Sequence, residues 1–202
     1  MDQDLLSITK EKTKTSKNVN ILEIGPGNNL SLSINFLNTN RCLYHTVDFN
    51  HLDSLNKNHQ HFISDFLYVQ LDTTYDIIID RCVWHEQDIR NRQKYLKKIY
   101  SLLKKDGYFF GEHATYHTTI NFQEDDLLFD HEKKVLYQQK NDVIKAVKYI
   151  PKALKIEQDL QLNNFKIIRF ICDPTKKIIC NRSTPIPRPG DPDHLYFQTQ
   201  KN

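Results

Sequence analysis

No two of the four cysteines (Cys42, Cys82, Cys172 and Cys180) form a CxxC pair, and most of them lie inside apolar runs. That excludes a disulfide framework and a zinc finger and suits a reducing compartment. A charge excess of either sign is also lacking. Lysine and arginine number 28 against 25 acids, a formal net charge of +3, so neither a strong polyanion nor a membrane surface is implied as partner. The basic clusters are short, as at Lys97-Lys98 and Lys104-Lys105, and read as the solvated face of a helix rather than a stripe that tracks phosphates. There is no Asn-Pro-Pro-Tyr base-flipping motif, and nucleic acid is not expected as a partner. Residues 1–17 are polar and hold no apolar signal core, and no run reaches membrane-spanning length, so the plain expectation is a cytoplasmic protein. No internal repeat divides the 202 residues, which predicts one domain over 1–202. The apolar share of 39% and the charged share of 26% are those of an ordinary globular chain able to bury a core.

What is present is an alternation of strand and helix patterns. After the polar lead, Val19 to Ile24 reads as a buried strand that stops at Gly25. Leu30, Ile34 and Leu37 mark a short amphipathic helix. Tyr44 to Val47 is a second strand closed by Asp48, and His61 to Ser64 a third, ending at Asp65. "YDIIID" (75–80) is a continuous apolar run of the kind buried on both sheet faces. Tyr95, Leu96, Ile99, Leu102 and Leu103 recur at helical spacing, and Asp106-Gly107 supplies the expected helix end. "YFFG" gives a fifth strand. The pattern predicts an α/β fold with a doubly wound, mostly parallel sheet. Residues 18–112 form its core, and 113–150 break the alternation with "LLFDHEKKVLYQ", a hairpin, and "VIKAVKYI". This insertion is expected to build or cover a substrate site. In 151–202, Pro151 opens a last helix to about Leu162, and "FKIIRFIC" and "HLYFQTQK" are two strands. The last is antiparallel, because the proline-rich loop before it is too short to hold a crossover helix.

Two of the five glycines stand in "ILEIGPGNN" (21–29). A ligand lying over the end of a parallel strand needs backbone free of side chains, and glycine provides it. Asp48 stands 21 residues beyond Gly27 (48 − 27), close to the spacing of roughly 20 at which an acid meets ribose hydroxyls. A dinucleotide is disfavoured: Pro26 removes one N–H from a phosphate cradle, and Leu30 sits where the dinucleotide fingerprint needs a small residue.

With these residues the chain resembles the class I S-adenosylmethionine-dependent methyltransferases. "LEIGPGNN" is similar to their first motif, with Glu23, Gly25 and Gly27 matching and Asn29 replacing the usual third glycine. "HTVDFN" resembles the second, "ISDF" the third, and "YDIIIDRCVWHEQD" the fourth. The resemblance implies S-adenosylmethionine as cofactor and S-adenosylhomocysteine as product. It implies that Glu23, Gly25, Pro26, Gly27, Asn28 and Asn29 form the cofactor turn, with Asp48 on the ribose and Phe49 beside the adenine. Asp65 lies near the adenine amine with Phe66 next to it, and Asp80, Arg81 and Cys82 lie at the end of the fourth strand. Cys82 there is a small filler that meets adenine through its backbone.

Catalytic roles fall in the same reading to Trp84, packed over acceptor or cofactor, to His85, taking a proton or orienting a hydroxyl, and to Asp80. Glu112, His113 and Tyr116 are candidates to line the acceptor pocket. "GEH" has no third partner at metal-ligand spacing, so no metal is assigned. The leading acceptor is a small molecule. A protein acceptor, as for lysine methyltransferases, is the second reading; a non-catalytic module that binds the cofactor and a nicotinamide reductase are the others.

Overall fold

The computed structural model describes residues 2–15, 18–27, 30–39, 42–52, 57–116, 127–140, 143–177 and 191–202. In chain order the elements are α1 (Asp2–Thr15), β1 (Asn20–Ile24), α2 (Ile34–Thr39), β2 (Leu43–Asp48), β3 (His59–Ile63) and β4 (Tyr75–Arg81). A 3₁₀ turn (Trp84–Glu86), α3 (Ile89–Leu102) and β5 (Leu103–Thr115) follow. Then come β6 (Leu127–Asp130), β7 (Val135–Lys140), β8 (Val143–Tyr149), α4 (Ala153–Leu162), β9 (Phe165–Lys177) and β10 (Asp193–Lys201). The main sheet has seven strands in the order β3-β2-β1-β4-β5-β10-β9. Strands β1 to β5 pair in parallel, and β10 runs antiparallel to both of its neighbours. A separate antiparallel sheet, β6-β7-β8, is the insertion.

Strand alternation explains the two layers of core. Leu22, Ile24 and Ile78 face one side and pack with Tyr95, Leu96 and Ile99 of α3 and Ile156 and Leu160 of α4. Ile21, Ile77, Ile79 and Phe110 face the other side, with Leu5 of α1 and Leu37 of α2. Both faces are apolar because both are covered, which is why β4 reads as an unbroken apolar run.

Four local expectations change. The polar lead is a helix: Leu5 is fully buried against the sheet, Leu6 and Ile8 flank it, and the Thr9 hydroxyl donates to the Leu5 carbonyl at 2.7 Å. So narrow an apolar stripe is sufficient when one sheet face lacks a cover. Helix α3 ends at Leu102, not at Asp106-Gly107, because Leu103 is already extended and pairs with Tyr75. The next paired residue on β5 is Tyr108, opposite Ile77, so the Asp-Gly pair lies in a bulge, and it is Asp106, at φ +59°, that turns left-handed. Pro151 precedes the first helical residue of α4 by two positions, with Lys152 as the cap residue. Strand β9 continues past Cys172 to Lys177. Most of the proline-rich loop lies outside the described residues. Among those described, no helix is long and apolar enough to cross a membrane.

Candidate functional site

Parallel register brings the strand ends to one edge. Ile24 pairs with both Val47 and Asp80, and Asp48 with Ile63. The chain therefore leaves β1, β2, β3 and β4 at the same level, and the four exits line a cleft of about 510 Å³. Its walls include Gly25, Gly27, Asp48, Phe49, Asp65, Phe66, Arg81 and Cys82. Asn28 and Asn29 lie outside the described residues.

The two glycines have different reasons to be glycine. Gly25 has φ +69°, and a Cβ there would stand 2.2 Å from Val83 Cγ2. Gly27 has φ +59°, and a Cβ there meets nothing within 4 Å, so the space beside it belongs to the cleft. The Gly27 N–H donates to Asp48 Oδ2 at 3.0 Å, while Asp48 Oδ1 accepts from the backbone N–H and side-chain amide of Asn50 at 2.9 and 3.2 Å. The aspartate thus ties the glycine turn to its own strand end. Phe49 beside it is 70% exposed, an aromatic face offered at the cleft mouth. Asp65 Oδ1 accepts from the Leu67 N–H at 2.8 Å, and Phe66 packs edge-on against Tyr95.

Glu23 and Arg81 hold the turn from behind. Glu23 is fully buried and accepts from the Ser31 N–H, the Ser31 hydroxyl and the Tyr44 hydroxyl, and burial pushes its carboxyl above the ordinary range. Arg81 lies 3.7 Å from Glu23 and donates to the carbonyl of the buried Pro26 at 3.1 Å. Cys82 lines the cleft with φ +64°, a conformation a non-glycine residue adopts only when its surroundings enforce it. Burial raises its thiol far above the ordinary value, which keeps it protonated and unsuited to nucleophilic attack.

The three residues assigned catalysis by sequence lie under the cleft floor and do not line it. Asp80 is fully buried; its carboxylate accepts from the Val83 and Trp84 N–H groups at 2.8 and 3.0 Å and from the Tyr95 hydroxyl at 2.5 Å. Trp84 is a core aromatic, edge-on to His113 and Phe197, with the Arg92 guanidinium 4.4 Å from its ring. His85 Nδ1 accepts from the Ala114 N–H at 3.2 Å, and its Nε2 lies 3.3 Å from Lys148 Nζ. Burial pushes its pKa well below the usual value, and the nearby Lys148 adds to the shift, so the ring is neutral at pH 7. None of the three is among the residues that line this cleft; Asp80 holds the Val83 and Trp84 N–H groups, and His85 ties the segment to Ala114 of β5. Of the acceptor-pocket candidates, Glu112 is 3.7 Å from His194, His113 is buried against Arg92, and Tyr116 has a buried hydroxyl with no partner among the described residues. Among those residues no group of three or more His, Cys, Asp or Glu is arranged to hold a metal ion.

Two features were not singled out from sequence. Gln87, Asp88 and Asn91 continue the cleft wall from Glu86. The insertion meets that wall: Lys148 of β8 pairs with Glu86 at 3.1 Å, across 62 residues of chain. No local pattern marks such a lysine, since only the folded insertion brings it there.

No family model matches the chain, and a search of curated proteins finds no match. Solved structures do match. A 1,6-didemethyltoxoflavin-N1-methyltransferase from Burkholderia thailandensis, with bound 1,6-didemethyltoxoflavin and S-adenosylhomocysteine, is 14% identical over 99% of this chain and 77% of its own, with a TM-score of 0.62. An O-methyltransferase from a trans-AT PKS multienzyme of Brevibacillus brevis, in complex with S-adenosyl-L-homocysteine, is 14% identical over 99% and 71%, TM-score 0.64. The (4+2) cyclase SpnF is 12% identical over 99% and 80%, also at 0.64. Identities this low speak for the fold, and a cyclase among the matches keeps fold and reaction apart. With its sheet order and single antiparallel strand β10, the chain has the fold of the class I S-adenosylmethionine-dependent methyltransferases.

Proposed function

We propose that the chain is an S-adenosylmethionine-dependent methyltransferase acting on a small molecule. The observation that carries this reading is the cleft at the carboxyl edge of β1 to β4, where Asp48 is bonded to Gly27 and flanked by the exposed Phe49. Ligands of open parallel sheets bind at this edge. Its volume of about 510 Å³ lies within the usual range for small-molecule sites, and the open space beside Gly27 fits a ligand laid directly on backbone. In this reading Asp48 accepts from the ribose hydroxyls, Phe49 covers the adenine, Asp65 meets its amine, and Arg81 and Glu23 keep the turn in place.

Bound there, the cofactor supplies an electrophilic methyl group on a sulfonium. Transfer of that methyl would need an acceptor lone pair held in line with it, and any proton released by the acceptor would go to solvent. The residues beneath the floor have a positioning role: Asp80 and His85 fix the Val83–Glu86 backbone along which donor and acceptor meet, which is where such displacements gain most. No enclosed group has to serve as base.

Calorimetry tests the reading. S-adenosylhomocysteine should bind and NAD should bind weakly or not at all, since Pro26 and Leu30 disfavour a dinucleotide. Asp48→Ala should cost roughly 1.5–3 kcal/mol of binding, the range for hydrogen bonds to a charged partner. NAD binding as tight as that of S-adenosylhomocysteine would overturn the assignment.

A further inference from the structure

A second cleft, of about 490 Å³, lies between the insertion and the start of α3. It shares Glu86, Gln87 and Asp88 with the first cleft, so a molecule in one lies across that short segment from a molecule in the other. Its other walls come from β7, β8 and the turn between β6 and β7, and include Val135, Tyr137, Val147 and Tyr149.

The charges on these walls are unequal in kind. Asp88 is committed as the α3 cap and to Arg90. Lys133 is exposed and paired with Asp130. Lys134 donates to the His131 carbonyl and lies over the Tyr116 ring. Lys148 is different: it is 7% exposed, and its ion-pair partner Glu86 has a side chain 51% exposed. Behind it the interior holds more cationic character. Arg92 is buried between the rings of Trp84 and Tyr149, 4.4 Å from each, and no carboxylate among the described residues forms an ion pair with it. His85 and His113 are enclosed beside it and offer no negative charge.

A buried ammonium needs an anionic partner, whereas a half-exposed carboxylate such as Glu86 can leave for water at little cost. The second cleft therefore has a place for a ligand's negative charge at Lys148, with aromatic and aliphatic walls for its body. We infer that this cleft is the acceptor pocket, and that the acceptor is a small aromatic or apolar molecule bearing an acidic group that replaces Glu86 on Lys148. The inference rests on the methyltransferase reading for the word acceptor, but the binding chemistry stands by itself.

Two probes with the same ring system and opposite charge, indole-3-acetate and tryptamine, make the test. Titrated by calorimetry into the full chain saturated with S-adenosylhomocysteine, indole-3-acetate should bind at least tenfold more tightly than tryptamine. Lys148→Met should lose that preference, and Lys148→Arg should keep most of it. Glu86→Gln, which removes the charge that Lys148 pairs with, should tighten indole-3-acetate several-fold, a gain that misfolding cannot imitate. Tighter binding of tryptamine, binding of neither probe, or weaker binding of indole-3-acetate to Glu86→Gln would overturn the inference while leaving cofactor binding as it is. If S-adenosylhomocysteine does not bind but indole-3-acetate still binds through Lys148, the methyltransferase reading falls and the anion site remains.

Discussion

Gly25→Ala should melt far below the wild type, while Gly27→Ala should fold almost normally and lose its ligand. Both glycines have positive φ, so alanine at either costs about 1 kcal/mol in backbone strain. Only at Gly25 does the new methyl strike something, because Val83 Cγ2 lies 2.2 Å from its ideal position and belongs to a packed side chain. Overpacking of that kind costs roughly 1–3 kcal/mol more. The sum corresponds to a fall of roughly 5–15 °C in melting temperature for a domain of this size. Gly25→Ala combined with Val83→Ala should recover the steric part and leave the strain, a coupling that a double-mutant cycle reads directly. At Gly27 the added group enters empty cleft, so stability changes little while S-adenosylhomocysteine affinity falls at least tenfold for alanine. Valine fills more of the ligand's space and is harder to hold at positive φ, so it should remove measurable binding. Wild-type affinity in Gly27→Ala and Gly27→Val would mean that the cofactor does not lie over this turn.

That contrast shows where the sequence was readable. A strand that must stop under a ligand ends in residues with strong local signatures: Gly25 follows β1 and Asp48 closes β2 as their patterns predict, while β3 spans His59–Ile63 and ends two residues before Asp65. The Gly27–Asp48 spacing is legible for the same reason, since one parallel crossover fixes the distance along the chain. The face a residue takes after the strand ends is not legible. "DRCVWHE" continues β4 for two residues, turns left-handed at Cys82, and folds into a 3₁₀ turn that puts Trp84 and His85 inward and Glu86 outward. No periodicity covers so short a stretch. Nor can a residue in an insertion be assigned to the site before the insertion is folded; Lys148 reads as one more cation of a polar strand. Helix α1 was missed because its apolar stripe is narrow and gains its stability from the sheet, not from its own pattern.

Asp80→Ala should be the most destabilising change at the site, although Asp80 itself does not line the cleft. The carboxylate receives two backbone N–H groups and the Tyr95 hydroxyl, and alanine would leave three donors, two of them buried, without that acceptor. At roughly 1–3 kcal/mol for each unmet group the loss is several kcal/mol, a large part of the 5–15 kcal/mol that typically holds a domain together. Asp80→Asn keeps the shape and an acceptor oxygen and should lose less; comparing it with the wild type isolates the charge. Burial pushes the Asp80 carboxyl up to about 7 from an ordinary 3.8, against the hydrogen bonds that lower it. The folded state then binds a proton that the unfolded state has already released between those two values. Stability from this residue is therefore complete below about pH 4 and is lost as pH rises to about 7, by up to about 1.4 kcal/mol per pH unit. Denaturant unfolding of both proteins at steps from pH 4.5 to 8 should show the wild-type advantage over Asp80→Asn shrinking through that window and level above it. An advantage that stays constant with pH would mean that Asp80 is ionised throughout, so that its three hydrogen bonds, and not its burial, set its charge.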